Sequence, residues 1–427
     1  MKVLKFPAPE EITPVLLRPG DEQAAARREQ AAAMLAAVRA GGDAAVRRFA
    51  RQFDGFSEPS FQVSPEQFAA AEAAVSPALQ AAIRQAYANI RVFHASQREQ
   101  PQRVETMPGV VCWRKSVAIE KVGLYIPGGT APLFSTVLML GVPAQLAGCR
   151  EVILCTPVGP DGSVHPAILF AARLCGIERV FRIGGVQAIG ALAYGTETVP
   201  RVWKIFGPGN PWVTAAKQLV SLDGTAIDLP AGPSEVCVVA DAGADPRFVA
   251  ADLLSQAEHG ADSQVLLLST SEDLVQKVLA ELETRLAALP RRELAQASLQ
   301  NSTAIVVRTP DEAMQVANDY APEHLILQVA EPETWAARVV NAGSVFLGAH
   351  TPESAGDYAS GTNHTLPTGG WARAYGGVSL DSFVKKITFQ QIGAKGLQGL
   401  GPAVVAMARA EGLEAHALAV EVRNCGN

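Results

Sequence analysis

The chain has 427 residues, which corresponds to about two or three domains of ordinary size. Its 36 basic and 42 acidic side chains leave a net charge of −6, and no basic block could follow a phosphate backbone, so we expect no nucleic-acid partner. Hydrophobic residues make up 48% and charged residues 18%, which excludes a disordered chain and indicates a globular protein.

Neither a membrane span nor an export signal is predicted. The most apolar region, residues 133–149, is interrupted by Gly141 and Pro143, so it falls short of the roughly 18 uninterrupted apolar residues that a span requires. Pro7 and Glu10 stand where a signal peptide would have its apolar run. Six cysteines without a CxxC pair are typical of buried thiols in a reducing compartment. We therefore expect a cytoplasmic protein that does not associate with membranes.

The N-terminal segment, residues 21–102, has the composition and the apolar spacing of helices. One helix start is marked by Ser64, Pro65 and Gln67, because serine caps the first turn, proline suits it and glutamine completes a capping box. We expect residues 1–105 to form a helical module without catalytic groups.

After this module, short strand-like runs alternate with segments long enough for one helix, which predicts an α/β fold with mostly parallel sheets. The predicted strands are residues 117–126, 151–156, 180–183, 202–206, 235–240, 264–268, 304–307, 325–329 and 344–347. We expect two Rossmann-like α/β domains, residues 106–233 and 234–378, joined near the turn-forming residues 230–233. A helical C-terminal tail, residues 379–427, is expected to pack on another surface, such as that of a partner subunit.

Glycine-rich turns follow three predicted strands of the first α/β domain, at residues 128–129, 184–185 and 207–209. A P-loop is excluded because no lysine follows the last glycine, and the G-x-G-x-x-G fingerprint is absent. Ligands of open parallel sheets bind where the strands end, and glycine lets a backbone approach a ligand closely. Three such turns at one edge therefore favour a ligand site over ordinary turns, with Gln187 and Asn210 as neutral donors.

A second group of residues offers ligands for a metal ion. Gln256 and His259 are three residues apart at the end of a predicted helix, so both side chains lie on one face. Asp357 and His364 belong to a loop of small residues, and His416 lies in the tail. Nitrogen and oxygen donors without thiolate favour Zn²⁺ in a catalytic site that leaves room for a substrate. The alternative for a histidine near a helix end is an ordinary hydrogen bond or cap.

Glu323 and His324 form the clearest acid–base candidate. They follow Pro322 at the start of a predicted strand, which brings two proton-transfer groups close together. Histidine has an ordinary pKa of about 6.5 and serves as base or acid near neutral pH, and a neighbouring carboxylate can activate water. The alternative is a surface Glu–His pair without a chemical role.

Taken together, these motifs resemble the histidinol dehydrogenase family, whose members are zinc enzymes that complete histidine biosynthesis. The resemblance covers about residues 120–420 and leaves out the N-terminal helices. The segments that carry it, in chain order, are GLYIPGGTAPLFSTVLMLGVPAQLAGC from Gly123, GGVQAIGALAYGTETVP from Gly184, KIFGPGN from Lys204, PAGPSEV from Pro230, DLLSQAEHG from Asp252, PEHLI from Pro322, AGSVFLG from Ala342, ESAGDYASGTNHTLPT from Glu353 and AEGLEAH from Ala410.

The resemblance implies that L-histidinol is oxidised to L-histidine through L-histidinaldehyde, in two NAD-dependent steps. Glu323 and His324 would be the acid–base residues, with one zinc ion per subunit and a homodimer in which the tail of each chain completes the site of its partner. The implied zinc ligands are Gln256, His259, Asp357 and His416. The implied substrate contacts are Ser234, Gln256, His259, His324, Asp357, His364, Glu411 and His416. The implied cofactor contacts are Tyr125, Gln187 and Asn210.

Three alternatives stay open at this point. A cysteine, Cys112 or Cys149, could form a thiohemiacetal in the second step in place of attack by water, although Cys149 has no base beside it in the sequence. A paralogue acting on another small polar alcohol, such as a sulfonated diol, would use the same zinc and NAD, but Glu411 and His416 favour histidinol. A non-catalytic binding protein would not need the adjacent acid and base.

Overall fold

A computed structural model describes residues 1–18, 23–128, 131–229 and 232–424. Several sequence predictions fall partly outside these ranges: the first helix at Asp21, a glycine-rich turn at Gly129, the domain joint at residues 230–231, and Cys425. Within the described ranges, every helix is too short or too polar to cross a membrane.

Strands and helices alternate through the middle of the chain, as predicted. The strands are β1 (Lys2–Lys5), β2 (Arg103–Met107), β3 (Val110–Ala118), β4 (Lys121–Tyr125), β5 (Glu151–Thr156), β6 (Arg179–Arg182), β7 (Lys204–Phe206), β8 (Ala226–Ile227), β9 (Glu235–Ala240), β10 (Gln264–Ser269), β11 (Thr303–Val306), β12 (His324–Gln328), β13 (Ser344–Leu347) and β14 (Val384–Ile392). The α-helices are α1 (Pro9–Ile12), α2 (Ala24–Asp54), α3 (Pro65–Ala74), α4 (Pro77–Ala95), α5 (Phe134–Ala147), α6 (Pro166–Leu174), α7 (Gly185–Tyr194), α8 (Pro211–Leu222), α9 (Pro246–Ala257), α10 (Glu272–Leu286), α11 (Arg292–Gln300), α12 (Pro310–Tyr320), α13 (Pro332–Ala336), α14 (Glu353–Tyr358), α15 (Ala394–Ala410) and α16 (Glu414–Asn424). Short 3₁₀ helices lie at Thr13–Leu16, Trp371–Arg373 and Leu380–Phe383.

The first large sheet has five parallel strands in the order β6-β5-β4-β7-β8. One face is covered by α3, α4, α5 and α6 in a single apolar cluster. The other face is covered by α2, α7 and α8. The N-terminal helices are therefore layers of this α/β unit, because the sheet would otherwise expose apolar strands on both faces.

The second large sheet has six parallel strands in the order β1-β11-β10-β9-β12-β13. Helices α9, α10 and α11 pack on one face, and α12 with α13 packs on the other. Its edge strand β1 comes from the start of the chain and pairs with β11. The α/β fold with mostly parallel sheets is confirmed, whereas the exact division into domains stays a prediction.

A third, antiparallel sheet in the order β14-β3-β2 was not predicted. The sequence predicts helix from about residue 379, but β14 pairs with β3 along its whole length. Its lysine and glutamine residues suit a helix as well as a strand. Two contacts favour the strand. It pairs with β3, more than 260 positions away in the sequence, and Phe389 stacks on Trp113 with 5.3 Å between the ring centroids. The predicted helical tail begins only at α15.

Candidate active site

The predicted acid–base and metal-binding residues gather where the strands of the second sheet begin. Glu323 and His324 lie at the start of β12, and Ser234 directly precedes β9. Gln256 lies in the last turn of α9, and His259 follows that helix at the same edge of the sheet. Open parallel sheets usually bind ligands where their strands end. In the second sheet, however, the candidate residues lie at the opposite edge, where the strands begin.

Local backbone geometry turns Glu323 and His324 inward. Ala321 ends α12 in the left-handed conformation at φ 50°, which a residue with a side chain rarely adopts. On the neighbouring strand, a Cβ added to Gly343 would lie 2.5 Å from the carbonyl oxygen of Glu323, so only glycine allows this approach. As a result Glu323 and His324 are only 6% and 3% exposed. The alternative of a surface Glu–His pair is wrong.

Backbone groups of Glu235 hold the acid–base pair in position. The Glu235 N–H donates to Glu323 Oε2 at 3.0 Å. His324 Nδ1 lies 3.3 Å from the Glu235 carbonyl oxygen, which can only accept, so Nδ1 carries a proton. The other ring nitrogen, Nε2, lies 3.5 Å from Asp357 Oδ1. His324 therefore presents Nε2 towards the predicted metal ligand.

Glu353 is a site residue that the sequence analysis missed. It is 1% exposed, and neither of its carboxylate oxygens has a hydrogen-bond partner within the described residues. Its Oε1 lies 3.9 Å from His324 Nδ1. Ligand atoms of His324, Glu353 and Asp357 all lie within 4.8 Å of one another. The i, i+4 spacing of Glu353 and Asp357 in the sequence is the signal that could have predicted a shared face.

The carboxylates and the imidazole of this cluster shift one another's pKa. Burial raises the pKa of Glu323 to about 8 and that of Glu353 well above its ordinary value. Burial alone would lower the pKa of His324, but the carboxylates of Glu353, Glu323 and Asp357 outweigh it and raise the pKa to about 10. Burial alone would raise the pKa of Asp357. The imidazoles that face it, of which His324 has the largest effect, outweigh burial and lower the pKa. Negative charge therefore concentrates on Asp357.

Gln256 and His259 present donors for a cation beside Asp357. Gln256 Nε2 donates to His259 Nδ1 at 3.0 Å, while Gln256 Oε1 is buried without a partner among the described residues. An amide oxygen in this state suits a cation, since a buried acceptor without a hydrogen bond is costly. His259 is an exposed residue that follows the end of α9, so this side of the cluster reaches the surface.

His364 connects the two large sheets. Its Nδ1 donates to the carbonyl oxygen of Asp357 at 2.8 Å. Its Nε2 then accepts from the hydroxyl of Thr136, with 3.0 Å between the two atoms. Thr136 lies in the first turn of α5, which starts where β4 of the first sheet ends. The edge of the first sheet at which its strands end thus faces the edge of the second sheet at which its strands begin.

The three predicted cofactor residues lie at that edge of the first sheet. Tyr125 is the last residue of β4, and its buried hydroxyl accepts from the Gly185 N–H at 3.1 Å. Gln187 lies in the first turn of α7 and donates through Nε2 to Asp54 Oδ2 at 3.1 Å. Asn210 caps α8 with its side-chain oxygen. The first two both lie at the Gly184–Gly185 turn, where α7 begins.

Two glycines of these turns are needed for packing within the protein. A Cβ added to Gly184 would lie 2.6 Å from Pro157 Cβ. One added to Gly207, which has a φ of 126°, would overlap the carbonyl oxygen of Tyr125. Packing of one turn against another therefore requires glycine at both positions, and the close approach of a ligand to these turns stays a prediction.

Glu411 and His416 are the predicted site residues that the structure does not bring to the cluster. Both are exposed on the hairpin of α15 and α16. Among the described residues, neither has a hydrogen bond or an ion pair with the other site residues. The hairpin also exposes large apolar side chains, namely those of Met407, Leu413, Leu418 and Val422. Such a patch is typical of a surface that another protein covers.

Comparisons with known proteins give one consistent result. The histidinol dehydrogenase family model matches residues 17–424. A histidinol dehydrogenase from Bacteroides thetaiotaomicron is 58% identical over 423 residues, which cover 99% of each chain. One from Xanthomonas axonopodis pv. citri is 58% identical over 412 residues, which cover 96% of each chain. The crystal structure of histidinol dehydrogenase from Elizabethkingia anophelis superposes with a TM-score of 0.96 at 50% identity, covering 99% of this chain and 98% of the other.

The buried carboxylate of Asp252 makes stability depend on pH. It accepts from Gln328 Nε2 at 3.0 Å, and burial raises its pKa from 3.8 to about 6. Because the pKa is higher in the folded state, Asp252 stabilises the fold fully below pH 3.8, and this contribution is lost as the pH rises to about 6. Between pH 4 and pH 7 we expect the free energy of unfolding of Asp252→Asn to rise relative to that of the unaltered protein, by on the order of 2–3 kcal/mol, and its melting temperature to rise with it.

Asp245→Asn is the matched control on the same helix. Arg247 lowers the pKa of Asp245 to about 2, so its effect on stability should stay constant between pH 4 and pH 7. Thermal unfolding across this pH range measures both variants. A constant difference for Asp252→Asn would contradict the prediction.

Proposed function

The chain belongs to the histidinol dehydrogenase family, and from this premise we propose that it oxidises L-histidinol to L-histidine through L-histidinaldehyde, with NAD accepting both hydrides. Family membership makes it an oxidoreductase of histidine biosynthesis. The observation that carries the proposal is the buried Glu323–His324 pair beside Asp357, at the junction of the two large sheets. The five cysteines that the structure describes are free thiols, which supports a cytoplasmic location for this protein.

We infer that Gln256, His259 and Asp357 hold one zinc ion, together with His416 of the partner subunit. The unpartnered Gln256 Oε1 and the nitrogen and oxygen donors support this set. The His324–Glu353–Asp357 cluster is the other candidate. We do not assign zinc there, because Glu353 is buried on the closed side, whereas a catalytic metal keeps a position open to substrate. His259, an exposed residue, lies on the side that reaches the surface.

Bound at these ligands, zinc would orient the imidazole and amine of histidinol and would offset the carboxylate charge that raises the pKa of His324. Ser234, at the start of β9, and His364 would contact the substrate from this subunit. Glu411 would contact it from the tail of the partner subunit.

The acid–base pair would perform the proton transfers. His324 would take the hydroxyl proton as the carbinol carbon gives up its hydride. Glu323 would then take a proton from the water that attacks the aldehyde, before the second hydride leaves. Burial supports this role, because a carboxyl whose pKa is raised to about 8 is a better base near neutral pH than an ordinary one.

We propose that Tyr125, Gln187 and Asn210 contact the NAD. Their common location at one edge of the first sheet supports this assignment. Helix α5 begins at the same edge, with no side-chain cap from the described residues, and a helix N-terminus favours a negatively charged group such as a pyrophosphate. The Thr136–His364 contact joins this edge to the substrate side, so hydride would pass directly from one side to the other.

The alternatives from the sequence receive less support. The relatives reported above are histidinol dehydrogenases, which does not favour a sulfonated diol as substrate. Burial raises the pKa of the Cys149 thiol to about 12, so it would carry almost no thiolate at neutral pH. Cys112 lies on β3 in the antiparallel sheet. We therefore keep water as the nucleophile.

A homodimer with exchanged tails would explain the exposed hairpin. His416 and Glu411 lie beside the apolar side chains of α15 and α16 that remain uncovered in the single chain. Docking of this hairpin on a second copy would bury those side chains and bring the two polar residues to the partner's site.

The overall reaction gives the first test. With zinc-loaded protein, limiting L-histidinol and excess NAD, we expect two NADH per histidinol, measured by NADH absorbance. One NADH per histidinol with accumulating aldehyde would contradict the proposed second step. Oxidation of a sulfonated diol in preference to histidinol would contradict the proposed substrate.

The role of Glu323 predicts a difference between the two steps. Glu323→Gln keeps an acceptor for the Glu235 N–H but removes the base, so aldehyde oxidation should fall by about 10²–10⁴-fold. Oxidation of histidinol to the aldehyde should lose much less. Stopped-flow measurement of the separate steps tests this, and equal losses in both steps would exclude the assignment.

Cys149→Ala is the control for the same experiment. We expect it to retain both steps, since Cys149 is half-buried and its Sγ lies 3.8 Å from the Phe383 carbonyl oxygen, a structural contact. A folded, zinc-loaded variant that stops at the aldehyde would favour the thiohemiacetal.

Exchange of tails between subunits can be tested by mixing two inactive variants, Asp357→Asn and His416→Asn. In a mixed dimer, one site combines an intact Asp357 with an intact His416 from the other chain. Roughly a quarter of all sites should then be active after random pairing, whereas each variant alone should be inactive. Absence of recovered activity in a mixture shown to contain mixed dimers would mean that each tail serves its own subunit.

A further inference from the structure

One carboxylate, that of Asp54, connects the N-terminal helices with the proposed NAD side of the site. Asp54 is the last residue of α2, and Gly55 ends that helix in the left-handed conformation at φ 64°. Helix α2 packs on α7 and α8 in one apolar cluster, in which Gly190 of α7 lies directly against Val38 of α2. This packing holds the Asp54 carboxylate at the first turn of α7.

The carboxylate fixes the orientation of the Gln187 amide. Asp54 Oδ2 accepts from Gln187 Nε2 at 3.1 Å, and the other carboxylate oxygen, Oδ1, lies beside Gly184. Gln187 is only 1% exposed, so its amide cannot turn freely to solvent. Because a carboxylate only accepts, Nε2 must face Asp54 and Oε1 must face away from it. Oε1 lies at Gly185, where an added Cβ would be 3.0 Å from it.

We propose that Asp54 is a positioning residue for cofactor binding, which presents Gln187 Oε1 as an acceptor to a donor group of the dinucleotide. A ribose hydroxyl or the carboxamide N–H of nicotinamide is a donor of this kind. The inference rests on the proposed function, in which Gln187 contacts NAD. Without Asp54 the amide could rotate by half a turn and present its NH₂ group, which cannot accept a hydrogen bond. Asp54 itself acts only through Gln187.

Equilibrium binding of NADH to the zinc-loaded protein, followed by fluorescence, is the test. We expect Asp54→Ala to weaken NADH binding about tenfold, the effect of losing one hydrogen bond to a charged group. KM for NAD should rise by a similar factor, while kcat at saturating NAD and KM for histidinol stay within about twofold. Unchanged NADH binding, or a fall in kcat at unchanged KM for NAD, would overturn the inference.

A double-mutant cycle with Gln187→Ala separates positioning from a general loss of structure. If Asp54 acts through Gln187, Asp54→Ala should have almost no further effect on NADH binding in the Gln187→Ala background. Two effects that multiply would overturn the inference. Asp54→Asn keeps the side-chain volume, so it serves if the alanine variant does not fold. We expect it to weaken binding less than tenfold but measurably, and NADH binding equal to that of the unaltered protein would count against the inference.

Asp43→Ala is the matched control. Asp43 lies on the same helix at the other end of α7, where it accepts from the Thr198 hydroxyl at 2.9 Å. NADH binding should be unaffected, and a loss equal to that of Asp54→Ala would indicate loosened helix packing and overturn the inference. Failure of the unaltered protein to bind NADH would overturn the proposed function itself, whereas full binding by Asp54→Ala would overturn only the role of Asp54.

Discussion

The constraint on which the rest of the site depends is the set of three carboxyl groups around the His324 imidazole, those of Glu323 and Glu353 buried and that of Asp357 half-buried. An unpaired charge in the protein interior costs several kcal/mol, so a proton, an imidazolium or a cation has to compensate each of these groups. Burial raises the pKa of Glu323 and that of Glu353, so both carboxyl groups are neutral over a wider pH range than ordinary ones. Asp357 differs from them, because its pKa is lowered. The charged form is thus favoured at Asp357 and the neutral form at Glu323 and Glu353, which suits a cation site with an adjacent proton-transfer pair.

The contact between His364 and Thr136 determines how the two sheets share this site. Each parallel sheet has one edge where helices begin, rich in free N–H groups, and one where helices end, rich in carbonyl groups. The first sheet contributes an edge where a helix begins, at the start of α5. The second sheet contributes an edge where a helix ends, at the end of α9. The two edges therefore have opposite electrostatic character. An anionic dinucleotide is favoured on one side and a cation with its ligands on the other, so the proposed hydride donor and acceptor meet at the boundary between them.

The sequence predicted the elements better than their environment. Strands 151–156, 235–240 and 344–347 agree with β5, β9 and β13 residue for residue, because apolar runs bounded by turns carry a strong local signal. Strand β14 was missed since its partner β3 is distant in sequence and its own residues suit a helix equally well. The same limit applies to the site. Glu323 and His324 could be found because they are adjacent, whereas the role of Glu353 depends on burial against His324, which no local pattern records.

The N-terminal segment packs on both large sheets. The sequence separates a helical module without catalytic groups from two α/β domains, and that division follows the change from helical to mixed periodicity. The packing does not follow it, since α2 forms one layer of the first sheet and β1 forms an edge of the second. A helix that covers a sheet face must end near one of the sheet's edges, and the edge near the end of α2 is the one with the proposed NAD contacts. Covering the apolar face and reaching the site are thus consequences of the same packing, and a segment needs no motif of its own to take part in binding.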